Sequence, residues 1–280
     1  MTDKRVLTIQ DISCLGQCSI TAALPIISAC GVETVILPSA VLSTHTGGFK
    51  GYTFRDLTED IPGIMKHWMS EGIKFDCLYT GYLGSIAQME YVRELKRNVI
   101  NEDGPLIVDP AMADGGKLYS GFDRSFVKGM AGLCAEADII LPNMTEAAFM
   151  TGSELMVDNQ DESYVKELLN KLSSLGPKKI VLKGISFEED KIGVAVYDCI
   201  TKKLSYYFTN KISEGSPGTG DCYAAALTGA LMQGRSLEEA ASIAADFVVE
   251  CILATYEDKT HKYGVKFEKA LPMLVRTLNN

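Results

Sequence analysis

The sequence lacks the features that mark membrane-spanning, disulfide-rich and nucleic-acid-binding proteins. No apolar stretch approaches the ~18–20 residues that a membrane-spanning helix needs. The eight cysteines are scattered without any C-x-x-C pair, so neither a zinc site nor a disulfide framework is expected. Basic residues number 27 against 36 acidic ones, and the net charge of −9 argues against nucleic acid or an anionic membrane as a partner. With no signal-peptide core at its start, the chain is expected to be a reduced, cytoplasmic protein.

What the sequence does contain is a regular alternation of strand and helix patterns. Short β-rich runs at 6–10, 33–37, 77–80, 106–108, 139–141 and 179–182 alternate with helical patterns at 20–30, 57–71, 89–100, 126–135 and 164–175. Several runs are apolar throughout, which is typical of parallel strands covered by helices on both faces. Segments 193–198 and 204–208 predict an antiparallel edge hairpin, and three helices follow at 222–232, 237–255 and 267–278. The pattern predicts one α/β domain over residues 1–280, an α/β/α sandwich on a mainly parallel sheet.

The most informative motif is Pro217-Gly218-Thr219-Gly220-Asp221, which leads into an apolar run with helical spacing. Its two glycines let the backbone turn tightly and approach a ligand closely. The loop becomes a helix N-terminus, whose N–H groups and dipole attract an anion such as phosphate. An acid beside a phosphate site is what phosphoryl transfer to an alcohol requires, because a group must accept the hydroxyl proton. The alternative is an ordinary helix start at which Asp221 interacts with the dipole.

Polar residues follow the carboxyl ends of six predicted strands, where ligands bind in open α/β sheets. Asp109 and Asp114 flank a turn, and Asn143 and Glu146 are three residues apart at a helix start. Such oxygen ligands suit Mg²⁺, which takes one or two carboxylates plus phosphate oxygens. A capping box has the same spacing as Asn143 and Glu146, and Asp109 before a proline is also a common turn residue. Lys183, at the end of the sixth strand, could reach a phosphate or be solvated.

Four motifs together resemble the vitamin-kinase branch of the ribokinase-like superfamily, and most closely the pyridoxal/pyridoxamine kinases. They are G-Y-L-G-S at 81–85, D-P-A-M-A-D at 109–114, P-N-M-T-E at 142–146 and P-G-T-G-D at 217–221, while S-T-H-T at 43–46 favours pyridoxal kinases over sugar kinases. The resemblance spans residues 6–254 and implies a ribokinase-like fold. It implies ATP-dependent phosphorylation of the C5 hydroxymethyl group of pyridoxal, pyridoxamine or pyridoxine in pyridoxal 5′-phosphate salvage. It further implies Mg²⁺ as a cofactor, admits a monovalent cation, and suggests a homodimer that binds neither nucleic acid nor membrane.

Carried over residue by residue, the resemblance implies roles for the site residues. Asp221 would be the general base, and the N–H groups of Gly218, Thr219 and Gly220 would form the anion hole for the transferring phosphoryl group. Gly218 and Gly220 would thereby also contact ATP. Four further residues would organise the triphosphate and its Mg²⁺: Asp114, Asn143, Glu146 and Lys183. Among these, the carboxylates of Asp114 and Glu146 would hold the metal, directly or through water.

Three residues would border the substrate ring, namely Asp11, Thr46 and Tyr82, and one of them departs from the pyridoxal-kinase pattern. Many pyridoxal kinases have serine where this chain has Asp11. Residues 12–19 also depart from the glycine-rich pattern of pyridoxal kinases and have some likeness to hydroxymethylpyrimidine kinases. Both families phosphorylate a hydroxymethyl group on an aromatic nitrogen heterocycle, so a hydroxymethylpyrimidine/phosphomethylpyrimidine kinase of thiamine biosynthesis is the alternative. An ionised Asp11 would favour pyridoxamine, which carries a protonated amine, over pyridoxal. A non-catalytic sensor is a third possibility, but it would not need a base at Asp221.

Overall fold

A computed structural model of the chain describes residues 4–156, 160–212, 217–258 and 260–279. The contacts divide the chain into two compact units, residues 1–104 with 212–280 and residues 105–211. A single domain over residues 1–280 therefore stays a prediction. None of the helices in the described ranges is long and apolar enough to cross a membrane.

The strands follow one another along the chain as β1 (Arg5–Leu15), β2 (Glu33–Thr44), β3 (Phe54–Asp56), β4 (Cys77–Thr80), β5 (Leu106–Val108), β6 (Ala113–Asp114), β7 (Lys117–Leu118), β8 (Ile139–Ile140), β9 (Lys179–Ile185), β10 (Lys191–Asp198) and β11 (Leu204–Asn210). The helices are α1 (Ser19–Ala29), α2 (Ile61–Ser70), α3 (Ile86–Val99), α4 (Arg124–Ala135), α5 (Met144–Thr151), α6 (Glu162–Ser173), α7 (Thr219–Met232), α8 (Leu237–Tyr256) and α9 (Phe267–Asn279). All eight predicted helices and both predicted hairpin strands are present, with ends that differ from the predicted ones by a few residues.

The first unit has strand order β4-β1-β2-β3. Strand β1 pairs in parallel with β2 and with β4, and β3 closes the edge by pairing antiparallel with β2. The strand pattern predicted an end at Gln10, but β1 continues to Leu15 across a register shift between Gln10 and Ile12. Asp11 therefore lies within a paired strand and is buried.

The helices of the first unit pack through small side chains. In α7 the buried stretch consists largely of alanine, and its Gly229 lies against the end of α1, where an added Cβ would come within 2.4 Å of the Cys30 sulfur. The amide of Gln233 then donates to the backbone oxygen of Cys30 at 2.6 Å. These contacts fix the axis of α7, and with it the position of the residues at its N-terminus.

The second unit has strand order β11-β10-β9-β8-β5. Strands β5, β8 and β9 are parallel, whereas β10 pairs antiparallel with both β9 and β11. The prediction of a mainly parallel sheet with an antiparallel edge hairpin is confirmed. A small hairpin of β6 and β7, which the sequence analysis did not predict, follows strand β5.

Candidate active site

Helix α7 begins at a glycine that no other residue could replace without moving the chain. Gly218 is the N-cap residue, with φ of 80° in the left-handed region, and a Cβ there would lie 1.9 Å from the carbonyl oxygen of Gln17. The N-cap provides no side-chain oxygen to the first turn, so the helix N-terminus keeps its attraction for an external anion. Asp221 is half-buried in the same first turn. The geometry predicted from the P-G-T-G-D motif is therefore present from Pro217 onward.

Asp11 is the centre of a buried polar cluster in the first unit. Its side chain is 5% exposed and accepts a hydrogen bond from the Ser13 hydroxyl at 2.9 Å. Burial raises the pKa of Asp11, and hydrogen bonds from Ser19 and Ser13 and the charge of His45 oppose that rise. Ser19 itself has a φ of 48°, a conformation that is strained for a non-glycine residue. The sequence analysis assigned no role to Ser13 or Ser19.

His45 lies next to this carboxyl as a neutral donor. Burial lowers its pKa, which the charge of Asp11 opposes. The Nδ1 atom accepts the N–H of Gly47 at 3.1 Å, which places the proton of the neutral ring on Nε2. In the described part of the chain, buried Nε2 has no hydrogen-bond partner. The ring also meets Phe49 edge-on, with 5.0 Å between the ring centroids.

Charge effects connect Asp221 to the Asp11 cluster. Burial raises the pKa of the Cys18 thiol, and the negative charges of Asp221 and Asp11 raise it further. Cys18 also lies against the start of α7, because a Cβ on Gly218 would come within 3.6 Å of the Cys18 Cβ. Burial, followed by the charge of Asp11, likewise raises the pKa of Tyr82 to about 12. The structure thus places the first turn of α7, which carries the predicted base, against the segment that follows the strand holding Asp11.

Two further positions of the first unit, Thr46 and Gly81, belong to the motifs identified in the sequence. Thr46 follows His45 and is exposed to solvent. Gly81, the first residue of the G-Y-L-G-S motif, lies so close to Gln10 that a Cβ would come within 2.2 Å of its Oε1. That glycine is therefore required by the buried amide, which donates from Nε2 to Thr8 at 2.8 Å.

In the second unit, the start of α5 forms the capping box that its spacing allowed. Asn143 Oδ1 accepts the N–H of Glu146 at 2.9 Å, and Glu146 Oε2 accepts the N–H of Asn143 at 2.8 Å. The other carboxylate oxygen of Glu146, Oε1, accepts the N–H of Met112 at 3.2 Å. Burial, and then the charge of Asp109, raises the pKa of Glu146 to about 8, while Lys183 and the backbone donors oppose the rise. Glu146 is therefore a buried structural residue whatever else it binds.

The same helix start holds the hairpin that carries Asp114. Gly115 and Gly116 form its turn, both with positive φ, as a two-residue type I′ hairpin requires. The Nδ2 of Asn143 donates to the oxygen of Ala113 at 2.8 Å, and the N–H of Gly116 donates to the Thr145 hydroxyl at 3.1 Å. Asp114 is exposed at the end of β6, where Oδ1 accepts the N–H of Gly115.

Lys183 is engaged by a carboxylate. Its Nζ lies 2.9 Å from both Oδ1 and Oδ2 of Asp109, which is 4% exposed. Burial raises the pKa of Asp109, and the ammonium group opposes that rise. An ammonium has three N–H donors, so this ion pair is compatible with a further bond to phosphate. The phosphate contact itself stays a prediction.

The carboxylates of the second unit fit a Mg²⁺ ion of the predicted kind. Among the described residues there is no group of three or more His, Cys, Asp and Glu that could hold a metal by itself. Mg²⁺ bound with a nucleotide does not need such a group, because it keeps several waters and takes one or two carboxylates plus phosphate oxygens. Exposed Asp114 could contact the ion directly. Glu146, whose two oxygens already accept N–H groups, fits a contact through water.

A helix that starts at a tightly packed glycine and carries an acid in its first turn, next to a mainly parallel sheet, fits a phosphotransferase. Comparison with known proteins gives the family. The phosphomethylpyrimidine kinase family model matches residues 14–266, so the chain belongs to that family and is a kinase. A Bacteroides thetaiotaomicron protein assigned as a phosphomethylpyrimidine kinase, in a crystal form with pyridoxal, is 32% identical with a TM-score of 0.90, over 100% of this chain and 96% of that one. The Lactobacillus plantarum pyridoxal kinase is 30% identical with a TM-score of 0.88, and the match covers 98% of this chain and 97% of that chain. The hydroxymethylpyrimidine/phosphomethylpyrimidine kinase of Bacillus subtilis is 27% identical over 220 residues, 76% of each chain. These matches confirm the resemblance and the ribokinase-like fold.

Proposed function

We propose that this chain is an ATP-dependent kinase that phosphorylates the C5 hydroxymethyl group of a vitamin B6 compound in pyridoxal 5′-phosphate salvage. The observation that carries the proposal is the packing of the start of α7, whose first turn contains Asp221, against Gln17 and Cys18, which follow the strand that holds the buried Asp11. A proton acceptor for an alcohol and polar groups for a heterocycle are thereby placed together. The relative in a crystal form with pyridoxal, which matches the whole chain, supports this substrate class.

In this mechanism Asp221 accepts the proton of the substrate hydroxyl as its oxygen attacks the γ-phosphorus. The N–H groups of Gly218, Thr219 and Gly220 stabilise the negative charge on the transferring group. Because Gly218 lies against the Gln17 carbonyl, these donors are fixed before the substrate binds. Such preorganised donors, together with positioning, supply most of the rate acceleration in phosphoryl transfer.

The residues of the second unit are proposed to hold the nucleotide. Asp114 and Glu146 would hold Mg²⁺, with Glu146 acting through water, and Asn143 and Lys183 would contact the triphosphate. When bound, Mg²⁺ neutralises the charge that develops on the β- and γ-phosphate oxygens. The hydrogen bonds from α5 to the β6–β7 hairpin fix where Asp114 is presented.

Asp11, His45, Thr46 and Tyr82 are proposed to recognise the ring. The Nε2–H of His45 suits an acceptor such as the phenolic oxygen of a vitamer. A cationic amine would offset the cost of burying an ionised Asp11, whose pKa burial raises. Tyr82, whose raised pKa keeps the phenol neutral, adds an amphipathic wall.

The second candidate is a hydroxymethylpyrimidine/phosphomethylpyrimidine kinase. The match of the family model and the Bacillus subtilis relative favour it. A pyrimidine also offers ring nitrogens that accept the Nε2–H of His45. The two candidates share the reaction and differ only in the heterocycle.

A substrate panel separates the candidates. Pyridoxal, pyridoxamine, pyridoxine and hydroxymethylpyrimidine are each incubated with Mg²⁺ and ATP, and kcat/KM is measured from ADP release. We expect the highest value for a B6 compound, and a higher value for the pyrimidine would establish the alternative. No turnover of any of the four would leave only a non-catalytic binding role.

The Asp221→Asn variant tests the base. Its kcat should fall by about 10²–10⁴-fold with ATP affinity and folding intact, because asparagine keeps the shape but cannot accept the proton. Asp60→Asn is the matched control, since Asp60 is an exposed helix-start aspartate without a side-chain capping bond. A near-normal kcat in Asp221→Asn would reduce Asp221 to a helix-start residue.

We also propose a cytoplasmic location and a homodimer. No disulfide joins the eight cysteines, all of which lie in the described part of the chain, and this fits a reducing compartment. A native mass twice the 30.5 kDa of the chain would support the homodimer, and a native mass equal to that of the chain would exclude it.

A further inference from the structure

A buried carboxylate of the second unit carries its own counter-cation. The Nζ of Lys183 lies 2.9 Å from each oxygen of Asp109, so the ammonium group is centred on the carboxylate. The side chains are 13% and 5% exposed. An ionised carboxylate at this depth is strongly unfavourable without a cation or a proton.

A second acidic group, Glu146, interacts with this ion pair. The charge of Asp109 acts on Glu146, and the ammonium of Lys183 opposes that effect, so all three groups interact closely. Two carboxyl groups and one ammonium form the cluster. The ammonium thus occupies the position that a bound monovalent cation would take to balance Asp109.

The backbone ties Lys183 to this position. Its N–H donates to the oxygen of Pro142 at 2.9 Å, and it forms a β-bridge with Asn143, the first residue of the capping box. The following residue, Gly184, has a φ of 80° and interrupts the regular extension of β9 directly after Lys183. The ammonium is therefore attached to the same backbone that positions Asn143 and Glu146.

A monovalent cation, which the family resemblance admits as a cofactor, does not fit beside Asp109, because the lysine fills that place. We propose that the ammonium group of Lys183 is a tethered substitute for a monovalent cation, so that this kinase needs neither Na⁺ nor K⁺. The activity arm of the test rests on the proposed function, whereas the stability arm is independent of it.

The activity arm uses the wild-type protein. Its kcat/KM with the best substrate of the panel is measured with Mg²⁺ and ATP in KCl, NaCl or tetramethylammonium chloride at equal ionic strength. Tetramethylammonium is too large to replace a bound K⁺. We expect equal activity in the three salts. A kcat/KM that is about threefold or more higher in KCl or NaCl than in tetramethylammonium chloride would overturn the proposal, because it would show that a bound monovalent cation contributes to activity.

The stability arm uses Lys183→Ala and needs no substrate. Removing the ammonium leaves Asp109 without its cation, and K⁺ should then bind in its place and raise Tm by about 3 °C or more over tetramethylammonium. Wild type should show no difference between the salts. Lys178→Ala is the matched control, because its exposed ion pair with Asp138 balances no buried charge.

A double variant makes the stability result specific. Asp109→Asn with Lys183→Met removes both charges, so its Tm should not distinguish K⁺ from tetramethylammonium. A K⁺ effect equal to that in Lys183→Ala would place the cation elsewhere and overturn the proposal. Equal Tm of Lys183→Ala in both salts would also overturn it. If Lys183→Ala does not fold in any salt, the wild-type activity arm decides.

Discussion

Replacing Gly218 by alanine should be one of the most damaging single-methyl changes in the chain. The added Cβ would lie 1.9 Å from the oxygen of Gln17 and 3.0 Å from its carbonyl carbon. The φ of 80° adds a conformational penalty of about 1 kcal/mol for any L-residue. A clash with backbone at that distance must be relieved by moving one of the two segments.

Gln17 is poorly placed to give way. Its N–H donates to the oxygen of Tyr263 at 2.7 Å, and its side chain donates to Glu268 at 2.7 Å. On its other side, the Cα of Gly264 is so close that a Cβ there would come within 2.4 Å of the Gln17 Cβ. Forced overpacking of this kind costs about 1–3 kcal/mol. The free energy of unfolding should therefore fall by about 2–4 kcal/mol in all.

Urea unfolding at equilibrium, with Gly234→Ala as the control, measures this cost. Gly234 follows the same helix with φ of 87°, but its added Cβ would have no non-neighbouring atom of the described residues within 4 Å. The control should lose only the conformational penalty of about 1 kcal/mol. Its kcat should stay normal, whereas that of Gly218→Ala should fall because the start of α7 is displaced. Equal losses of stability in the two variants would refute the packing argument.

Three further predictions concern single carboxylates. Glu146→Gln should raise the Mg²⁺ concentration needed for half-maximal activity several-fold. It should also lower the free energy of unfolding by about 1–3 kcal/mol, because one of the two backbone N–H groups loses its acceptor. An unchanged Mg²⁺ dependence would leave Glu146 a purely structural residue. We expect wild type to prefer pyridoxamine over pyridoxal roughly tenfold in kcat/KM, because the Asp11 carboxylate attracts a cationic amine. Asp11→Ser removes that charge and should narrow the preference. Equal ratios of the two kcat/KM values in wild type and Asp11→Ser would contradict this prediction. Burial raises the pKa of Asp76, but a backbone N–H, an amide and a lysine lower it by more, so the net pKa is below normal. Its stabilisation is present above the unfolded pKa of about 3.9 and is lost as pH falls through the folded pKa, so Asp76→Asn should lose less stability than wild type on acidification. Identical acid-unfolding curves for wild type and Asp76→Asn would contradict the stabilising role of the Asp76 carboxylate.

Local sequence patterns were sufficient for most of the fold. The apolar runs at 77–80 and 106–108 match β4 and β5 residue for residue. The end of β1 was wrong because its extension depends on pairing with β2, a contact between segments far apart in sequence. The short hairpin after β5 was missed although its D-G-G-K turn is a recognisable signal, because strands of two residues leave no hydrophobic alternation to detect.

The site was predictable as a set of motifs but not as a set of contacts. The start of α7 at Gly218 and the capping box of Asn143 with Glu146 follow from local spacing, and both are present. The ion pair of Asp109 with Lys183 joins residues 74 positions apart, so no local pattern could show it. The same holds for the burial of Asp11, which raises the pKa of its carboxyl group.

The dependence of the β6–β7 hairpin on the first turn of α5 has a dynamic consequence. Met112, Ala113 and Gly116 are all held by side chains of that one turn. Local opening of the turn would release the hairpin at the same moment, so their amide protons belong to one cooperative unit in hydrogen exchange. Warming would then loosen the loop that presents Asp114 well before the core melts. At temperatures below the melting of the core, affinity for the metal–nucleotide complex would therefore decline while the circular dichroism spectrum of the folded protein stays unchanged.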